Sequence, residues 1–133
     1  CPPFVRSTSM INSLVDEYRE DVNFLMVYIR EAHPIGGREV PNNQFQVNAP
    51  TTLSQRCELA EDFDDRIQMQ MPIVVDTIDD TVADVYAPWP NRMVVLDGNG
   101  KIVDVGIAAA GGTRESSRQL SGLLDRLLKT KDK

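Results

Sequence analysis

The spacing of apolar residues changes several times along the chain, and several stretches have the spacing of a helix. Between residue 2 and about residue 20, apolar side chains recur every three or four positions among charged ones, which predicts an amphipathic helix. The same spacing predicts a helix from a cap at Thr52 or Ser54 to about Gln68, and a short one over residues 82–86. After Gly111 and Gly112, a wide leucine stripe predicts a last helix with a lysine-rich end.

Continuous apolar runs and turn residues predict the strands and loops. Residues 22–30 and 72–77 are rich in branched side chains without polar alternation, as expected for strands that are covered on both faces. Residues 92–97 and 101–107 flank Gly98-Asn99-Gly100, which predicts a hairpin because Asn-Gly accepts positive φ at little cost. Residues 31–52 contain three prolines and a glycine pair, so we predict a long loop of the functional or mobile kind.

The predicted order is helix, strand, helix, strand, hairpin and helix, which indicates an α/β fold with a mixed central sheet flanked by helices. A right-handed crossover joins two parallel strands through its helix, but the first helix has no strand in front of it. We therefore expect a buried strand directly before Cys1, in the centre of the sheet. Without it, the strands at residues 22–30 and 92–97 would leave backbone groups unpaired. Residues 1–133 are expected to form one domain that lacks this strand.

Composition and charge exclude several classes of function. The formal net charge of -6 and the isoelectric point near 4.7 argue against a nucleic-acid partner, because such binding depends on clustered lysine and arginine. The longest apolar run, residues 24–29, is too short to cross a bilayer, so we expect a soluble domain with no membrane segment. The two cysteines require no oxidising compartment, and the localisation stays open with an intracellular reducing compartment favoured.

Cys1 is the first candidate for chemistry, because two prolines follow it. Pro2 and Pro3 suit the first turn of a helix, which makes Cys1 the N-cap. There the helix dipole and unpaired backbone N–H groups favour the thiolate, the nucleophilic form of cysteine. Two other interpretations stay open at this point: a processed or cloned terminus, and the lipid-bearing first residue of a mature lipoprotein.

His33, Glu31 and Cys57 are further candidates. His33 lies beyond the end of the first predicted strand, at the edge where α/β sheets place their sites, and histidine suits proton delivery near neutral pH. Glu31, two residues earlier, is placed to orient the imidazole. The alternative interpretation of His33 is a solvated side chain in a polar loop. Cys57 falls on the apolar face of its helix, either as a small buried side chain or as a resolving cysteine. Cys1, Cys57 and His33 lack close ligand spacing, so we predict no metal site.

Four segments carry a resemblance to a known family. They are Cys1-Pro2-Pro3-Phe4, residues 27–34 (VYIREAHP), residues 74–77 (VVDT), and Tyr86 six residues before Arg92. In this order they are similar to the catalytic domain of the iodothyronine deiodinases. The resemblance implies a thioredoxin-like fold related to the peroxiredoxins, with selenocysteine at the position of Cys1. It also implies that the proline-rich segment at residues 87–90 holds a cis-proline beside the reactive sulfur.

The resemblance implies a role for each candidate side chain. Cys1 is the nucleophile that accepts iodine as a formal cation, and His33 with Glu31 supplies the proton for the ring carbon. Arg92 stabilises the thiolate, or binds a carboxylate or peroxide oxygen. The expected substrate contacts are Pro34 and Trp89.

Trp89 lies between two prolines, so anchoring its loop is the alternative to a substrate contact. Two other positions depart from the family pattern. His33 is the only histidine, whereas the thyroid-hormone enzymes have a second one that is implicated in hormone binding, in the region of Ala49-Pro50. Met71 stands where some relatives have a cysteine that is proposed to resolve the oxidised nucleophile.

The leading hypothesis is an oxidoreductase that reductively removes iodine from an iodinated phenolic substrate. It requires no bound cofactor and is turned over by an external thiol reductant, and the resemblance implies a homodimer. One alternative is a peroxiredoxin-like thiol peroxidase, in which Cys1 attacks a peroxide that Arg92 polarises. Another is a thioredoxin-like binding module without catalysis.

Overall fold

The computed structural model describes residues 1–41, 43–109 and 111–131, and these contain five helices and four strands. The helices are α1 (Pro2–Val5), α2 (Thr8–Tyr18), α3 (Leu53–Ile67), α4 (Thr81–Tyr86) and α5 (Gly112–Lys131). The strands are β1 (Met26–Tyr28), β2 (Ile73–Val75), β3 (Val94–Leu96) and β4 (Ile102–Val105). The types and order of the elements agree with the sequence pattern, and the described residues between β1 and α3 form a long loop without helix or strand.

The strands form two separate pairs. β1 and β2 are parallel, with Tyr28 opposite Val75. β3 and β4 are antiparallel, with Val94 opposite Val105 and an irregularity within β3. The turn between them has a φ of 78° at Gly100, a conformation that glycine adopts without steric cost. The hairpin that the sequence indicates is therefore confirmed.

A cavity of about 670 Å³ is lined by both β1 and β3. Among the described residues, no ladder joins these two strands, so each has one edge without a strand partner. Within the described part of the chain, β1 pairs with β2 alone, over three residues of each strand. The arrangement is a thioredoxin-like α/β fold whose central sheet is present as two halves. A further strand, directly before Cys1, was expected in the centre of this sheet. That such a strand fills the space between the halves stays a prediction.

Helix α2 contributes to two hydrophobic clusters and so connects the two strand pairs. Its Leu14 and Tyr18 pack with Leu120 and Leu124 of α5, and Val95 of β3 packs against this first cluster. The Tyr18 hydroxyl also donates to a carboxylate oxygen of Asp125, on α5, at 2.8 Å. The first cluster therefore joins α2, α5 and the β3–β4 hairpin.

The second cluster surrounds Phe63 of α3. Ile11 of α2 is buried with it, and the neighbouring strand pair contributes partly buried side chains. The Phe63 ring centroid lies 5.7 Å from that of Phe45 and 6.1 Å from those of Phe4 and Tyr28. Tilted aromatic pairs at these separations are favourable beyond the apolar area that they bury. This cluster packs α1, α2 and α3 against β1 and β2.

The predicted first helix is interrupted at Arg6 and Ser7, which separate α1 from α2. The Ser7 hydroxyl donates to the Pro3 carbonyl oxygen at 3.0 Å, and the Thr8 hydroxyl donates to the Val5 carbonyl oxygen at 2.8 Å. Such side-chain bonds compete with the backbone N–H groups of the helix and bend it. The expectation of one continuous helix over residues 2–20 is wrong at this point.

Helix α3 buries a residue that the apolar pattern did not include. Thr52 caps the helix with its side-chain oxygen, as the sequence indicates. Ala60 and Phe63 are buried, but Leu53 is 46% exposed and Arg56 is only 2% exposed. Arg56 lies four residues before Ala60 and seven before Phe63, so it shares their face of the helix. The polar partners of this guanidinium explain its burial and are described in the Discussion.

Asp76 follows β2 and fixes the start of α4. Its two carboxylate oxygens accept from the backbone N–H groups of Val82 and Ala83, each at 2.9 Å. These bonds satisfy donors that the first turn of a helix otherwise leaves unpaired. The aspartate of the segment at residues 74–77 therefore has a structural role.

Candidate active site

Cys1 is the N-cap residue of α1, as the sequence indicates, and it is half-buried. Its side chain makes no capping hydrogen bond. Pro2 and Pro3 occupy the first two helical positions and carry no backbone N–H, so two of the donors at this helix start are missing, and the N–H of Phe4 at the third position makes no bond with the sulfur. The expectation that helix N–H groups contact the thiol is therefore wrong, and α1 is only four residues long.

The Cys1 sulfur has a polar contact with a side chain that lies 90 residues later in the sequence. The side-chain nitrogen of Asn91 lies 3.7 Å from Sγ of Cys1. Asn91 is buried and directly follows the cis peptide bond between Trp89 and Pro90, so the proline-rich segment has the cis-proline that the resemblance implies. Pro90 lines the same cavity as Cys1. Sequence reasoning missed Asn91, because a single asparagine in a proline-rich loop carries no distinguishing pattern.

Arg92 also lines this cavity, which supports the expectation that it shares a site with Cys1. One of its terminal nitrogens donates to the carbonyl oxygen of Tyr86 at 2.9 Å. Its Nε is buried and has no hydrogen-bond partner, and Arg92 forms no ion pair within residues 1–41, 43–109 and 111–131. Its charge is thus available for a thiolate or for an anionic group of a ligand.

Glu31 is the third predicted site residue at the cavity, where Tyr28 is its partner. The Tyr28 hydroxyl donates to a carboxylate oxygen of Glu31. Burial first, and then the negative charge of Glu31, raise the pKa of Tyr28 well above its ordinary value, so the phenol remains a donor. Among the described residues no hydrogen bond joins Glu31 to His33, so the role of Glu31 in orienting the imidazole stays a prediction.

Tyr28→Phe should lower the free energy of unfolding by about 1–2 kcal/mol, because the half-buried Glu31 carboxylate loses its donor. The raised pKa of Tyr28 adds a pH dependence. The neutral phenol contributes fully to the free energy of unfolding below about pH 10, the pKa of tyrosine in the unfolded chain. Above that pH the contribution falls by about 1.4 kcal/mol per pH unit. Urea unfolding at pH 8 and pH 11 measures both effects. If the free energy of unfolding falls equally between pH 8 and pH 11 in the unaltered protein and in Tyr28→Phe, Tyr28 is not the source of the pH dependence.

His33 is half-buried in the loop after β1 and is held by the backbone. Its Nδ1 lies 2.8 Å from the carbonyl oxygen of Arg38, and because a carbonyl only accepts, Nδ1 carries the hydrogen. Nε2 is then the nitrogen that remains for exchanging a proton with a ligand. His33 is not among the described residues that line the cavity of Cys1, so its participation stays a prediction.

The remaining predicted residues lie outside the cavity lining. Cys57 is a half-buried free thiol on α3 and forms no disulfide with Cys1. Trp89 is 40% exposed, and the guanidinium of Arg30 stacks over its ring at 4.7 Å. The Pro34 carbonyl oxygen accepts from the N–H of Gly37 at 3.0 Å, which closes a turn in the loop that holds His33.

The described residues contain no group of three or more histidine, cysteine or acidic side chains arranged to hold a metal ion. Within the same part of the chain, no helix has the length and apolar character needed to cross a membrane. The arrangement that the structure does contain is a thiol, an amide donor and a guanidinium at one cavity. A hydrogen-bond donor at the sulfur and a cation at the same cavity are features that favour the ionised form of a thiol, so the site is suited to nucleophilic attack by sulfur.

Comparisons with known proteins show the family of the chain. The family model described as iodothyronine deiodinase matches residues 1–125. The type II iodothyronine deiodinase of Rattus norvegicus is 33% identical over 100 residues, which cover 71% of this chain and 38% of that protein. The thyroxine 5-deiodinase of Homo sapiens is 30% identical over 98 residues, which cover 71% of this chain and 31% of that protein. The thyroxine 5-deiodinase of Ovis aries is 29% identical over 98 residues, which cover 71% of this chain and 32% of that protein. The chain spans about a third of the length of these curated relatives and belongs to the iodothyronine deiodinase family.

Proposed function

We propose that this protein is a thiol-dependent oxidoreductase that removes iodine reductively from an iodinated phenolic substrate, with Cys1 as the nucleophile. The observation that carries the proposal is the position of the Cys1 sulfur, 3.7 Å from an amide nitrogen of Asn91 and at the same cavity as Arg92. Membership of the deiodinase family supports the choice of iodine as the leaving group.

The proposed reaction has two stages. The Cys1 thiolate attacks iodine, so an S–I bond forms while the C–I bond breaks and leaves its electron pair on the ring carbon, which takes a proton. The sulfur is oxidised by two electrons, and the carbon is reduced. An external thiol then attacks the sulfur and releases iodide, giving a mixed disulfide. A second external thiol attacks the external sulfur of this mixed disulfide, so Cys1 leaves as a thiolate and the two external sulfurs leave joined as a disulfide.

His33 is proposed as the source of the proton for the ring carbon. With Nδ1 fixed on the Arg38 carbonyl oxygen, an imidazolium would donate from Nε2. The substrate itself must bring the ring carbon within reach of this nitrogen. Arg92, with a buried Nε that lacks a partner, is proposed to bind a carboxylate of the substrate or to stabilise the thiolate.

The experiment measures iodide release from an iodophenol in the presence of excess dithiol. We expect release by the unaltered protein, and a loss of about 10²–10⁴-fold in His33→Ala, because a positioned acid contributes this much. Added imidazole should restore part of the His33→Ala rate, since the missing group is a proton donor and not a structural element. Unchanged release by His33→Ala would overturn its role, and an absence of release by the unaltered protein would overturn the function.

A thiol peroxidase is the second candidate, and the unpartnered Nε of Arg92 at the cavity of Cys1 favours it. A guanidinium near the sulfur also binds a peroxide oxygen, and this reaction needs no proton for a carbon atom. Peroxide consumption that requires Cys1 but not His33, together with no iodide release, would support this alternative. Turnover of neither substrate would leave a thioredoxin-like binding module.

A further inference from the structure

Asn91 connects two parts of the chain that meet at the reactive sulfur. It lies 90 residues after Cys1 and 22 before Thr113, the second residue of α5. Its side chain is buried, and each end of the amide has a different partner. The nitrogen faces Sγ of Cys1 at 3.7 Å, while the oxygen accepts from both the backbone N–H and the hydroxyl of Thr113.

The contact with Thr113 decides which end of the amide faces the sulfur. The two ends of an asparagine amide have nearly the same shape, so orientation follows from the hydrogen-bond network. A backbone N–H only donates, so the atom that faces the Thr113 N–H at 3.3 Å must be the oxygen. The NH₂ group is then directed at Cys1, and α5 fixes this orientation.

A directed N–H donor changes the balance between thiol and thiolate. A hydrogen bond to the charged form of a group favours that form, and sulfur as a thiolate accepts more strongly than sulfur as a thiol. Pro2 and Pro3 lack the N–H groups of the first two helical positions, and the Cys1 side chain makes no capping hydrogen bond with the rest of this helix start. The Asn91 amide is therefore the donor that the described residues place at the sulfur.

We propose that Asn91 is a thiolate-stabilising residue that hydrogen-bonds directly to Cys1, and that Thr113 is its positioning residue. The inference adds two residues to the proposed reaction and rests on the role proposed there for Cys1. Charged side chains at the same cavity are Arg30, Glu31, Asp62 and Arg92, with the phenols of Tyr28 and Tyr86. Asn91 is neutral at every pH, so replacing it alters a hydrogen bond without changing this set of charges.

The test measures the pKa of the Cys1 thiol from the pH dependence of its alkylation by iodoacetamide. Every protein carries Cys57→Ser, so that only Cys1 reacts. In Asn91→Leu, which has a similar volume, we expect the pKa to rise by about one unit, with about tenfold less thiolate at a pH below it. An unchanged pKa in a folded Asn91→Leu protein would overturn the proposal.

Variants of Thr113 keep the proposal testable if Asn91→Leu does not fold. Thr113→Val preserves the shape and the backbone N–H but removes the hydroxyl donor, so the pKa should rise by a smaller amount. Thr113→Ser retains the hydroxyl and should have the pKa of the reference protein. Lower stability with the same thiol pKa in Thr113→Val would mean a merely structural contact and would overturn the positioning role. Iodoacetamide acts here only as an alkylating agent of the thiol and no iodophenol is used, so a failed deiodination assay and a failed pKa shift are distinguishable.

Discussion

Cys1→Ser should abolish thiol-dependent iodide release, with a loss of at least about 10³-fold, because the nucleophile of the proposed reaction is removed. A serine hydroxyl has almost the same shape as the thiol but is not ionised near neutral pH. Its hard oxygen is also a poor acceptor for iodine. The donors of Asn91 and Arg92 cannot compensate, because neither abstracts a proton from an alcohol.

The matched control for this prediction is the other cysteine. Cys57 is a half-buried thiol on α3, outside the cavity of Cys1, and it forms no disulfide. Cys57→Ser should therefore retain nearly the full rate of iodide release under the same dithiol concentration. If Cys57→Ser loses activity with weak reductants only, then it acts as a resolving cysteine. If Cys1→Ser retains activity, the nucleophile has been assigned to the wrong residue.

The elements of the fold could be predicted because their signals are local. The cap at Thr52 and the hairpin turn before Gly100 each depend on a few neighbouring residues. The interruption at Ser7 could not be predicted as readily, since serine and threonine also occur within continuous helices. The length of β1 was overestimated because a strand extends only as far as its partners allow, and β2 offers three residues.

The candidate site was predicted less completely, because its contacts are long-range. Cys1 and Arg92 could be assigned from the resemblance, and they do line one cavity. Asn91 could not, since a single asparagine in a proline-rich loop has no pattern that distinguishes it. The helix N–H groups expected to contact the sulfur do not do so, and this was partly foreseeable, because Pro2 and Pro3 have no N–H to give.

Arg56 is a charged residue that the fold buries although the apolar pattern of α3 did not include it. Its terminal nitrogen Nη1 lies 2.6 Å from the Thr77 carbonyl oxygen and 2.9 Å from Oδ1 of Asp80. The other carboxylate oxygen of Asp80 lies 2.9 Å from Nη1 of Arg30. The two arginines thus share one carboxylate, but the Arg56 side chain is 3% exposed and that of Arg30 is 49% exposed.

Asp80→Asn should destabilise the protein by about 3 kcal/mol, because it leaves the buried Arg56 charge without a counter-ion. Asparagine has the same shape and tolerates the left-handed backbone of residue 80, where φ is 61°, so the change isolates the charge. Urea unfolding gives the free energy for Asp80→Asn, Arg56→Met and the double variant. We expect the double variant to be more stable than the sum of the single losses predicts, since the unpaired charge is then absent.

Arg30 is the matched control, since it contacts the same carboxylate from solvent. Arg30→Met should cost about 1 kcal/mol or less, and its coupling to Asp80→Asn should be correspondingly small, because exposed ion pairs gain little over hydration. A large coupling for Arg56 and a small one for Arg30 would show that burial, rather than distance, determines the strength of an ion pair at this carboxylate. Equal couplings, or a loss below about 1 kcal/mol in Asp80→Asn, would contradict the assignment of Asp80 as the counter-ion of the buried guanidinium.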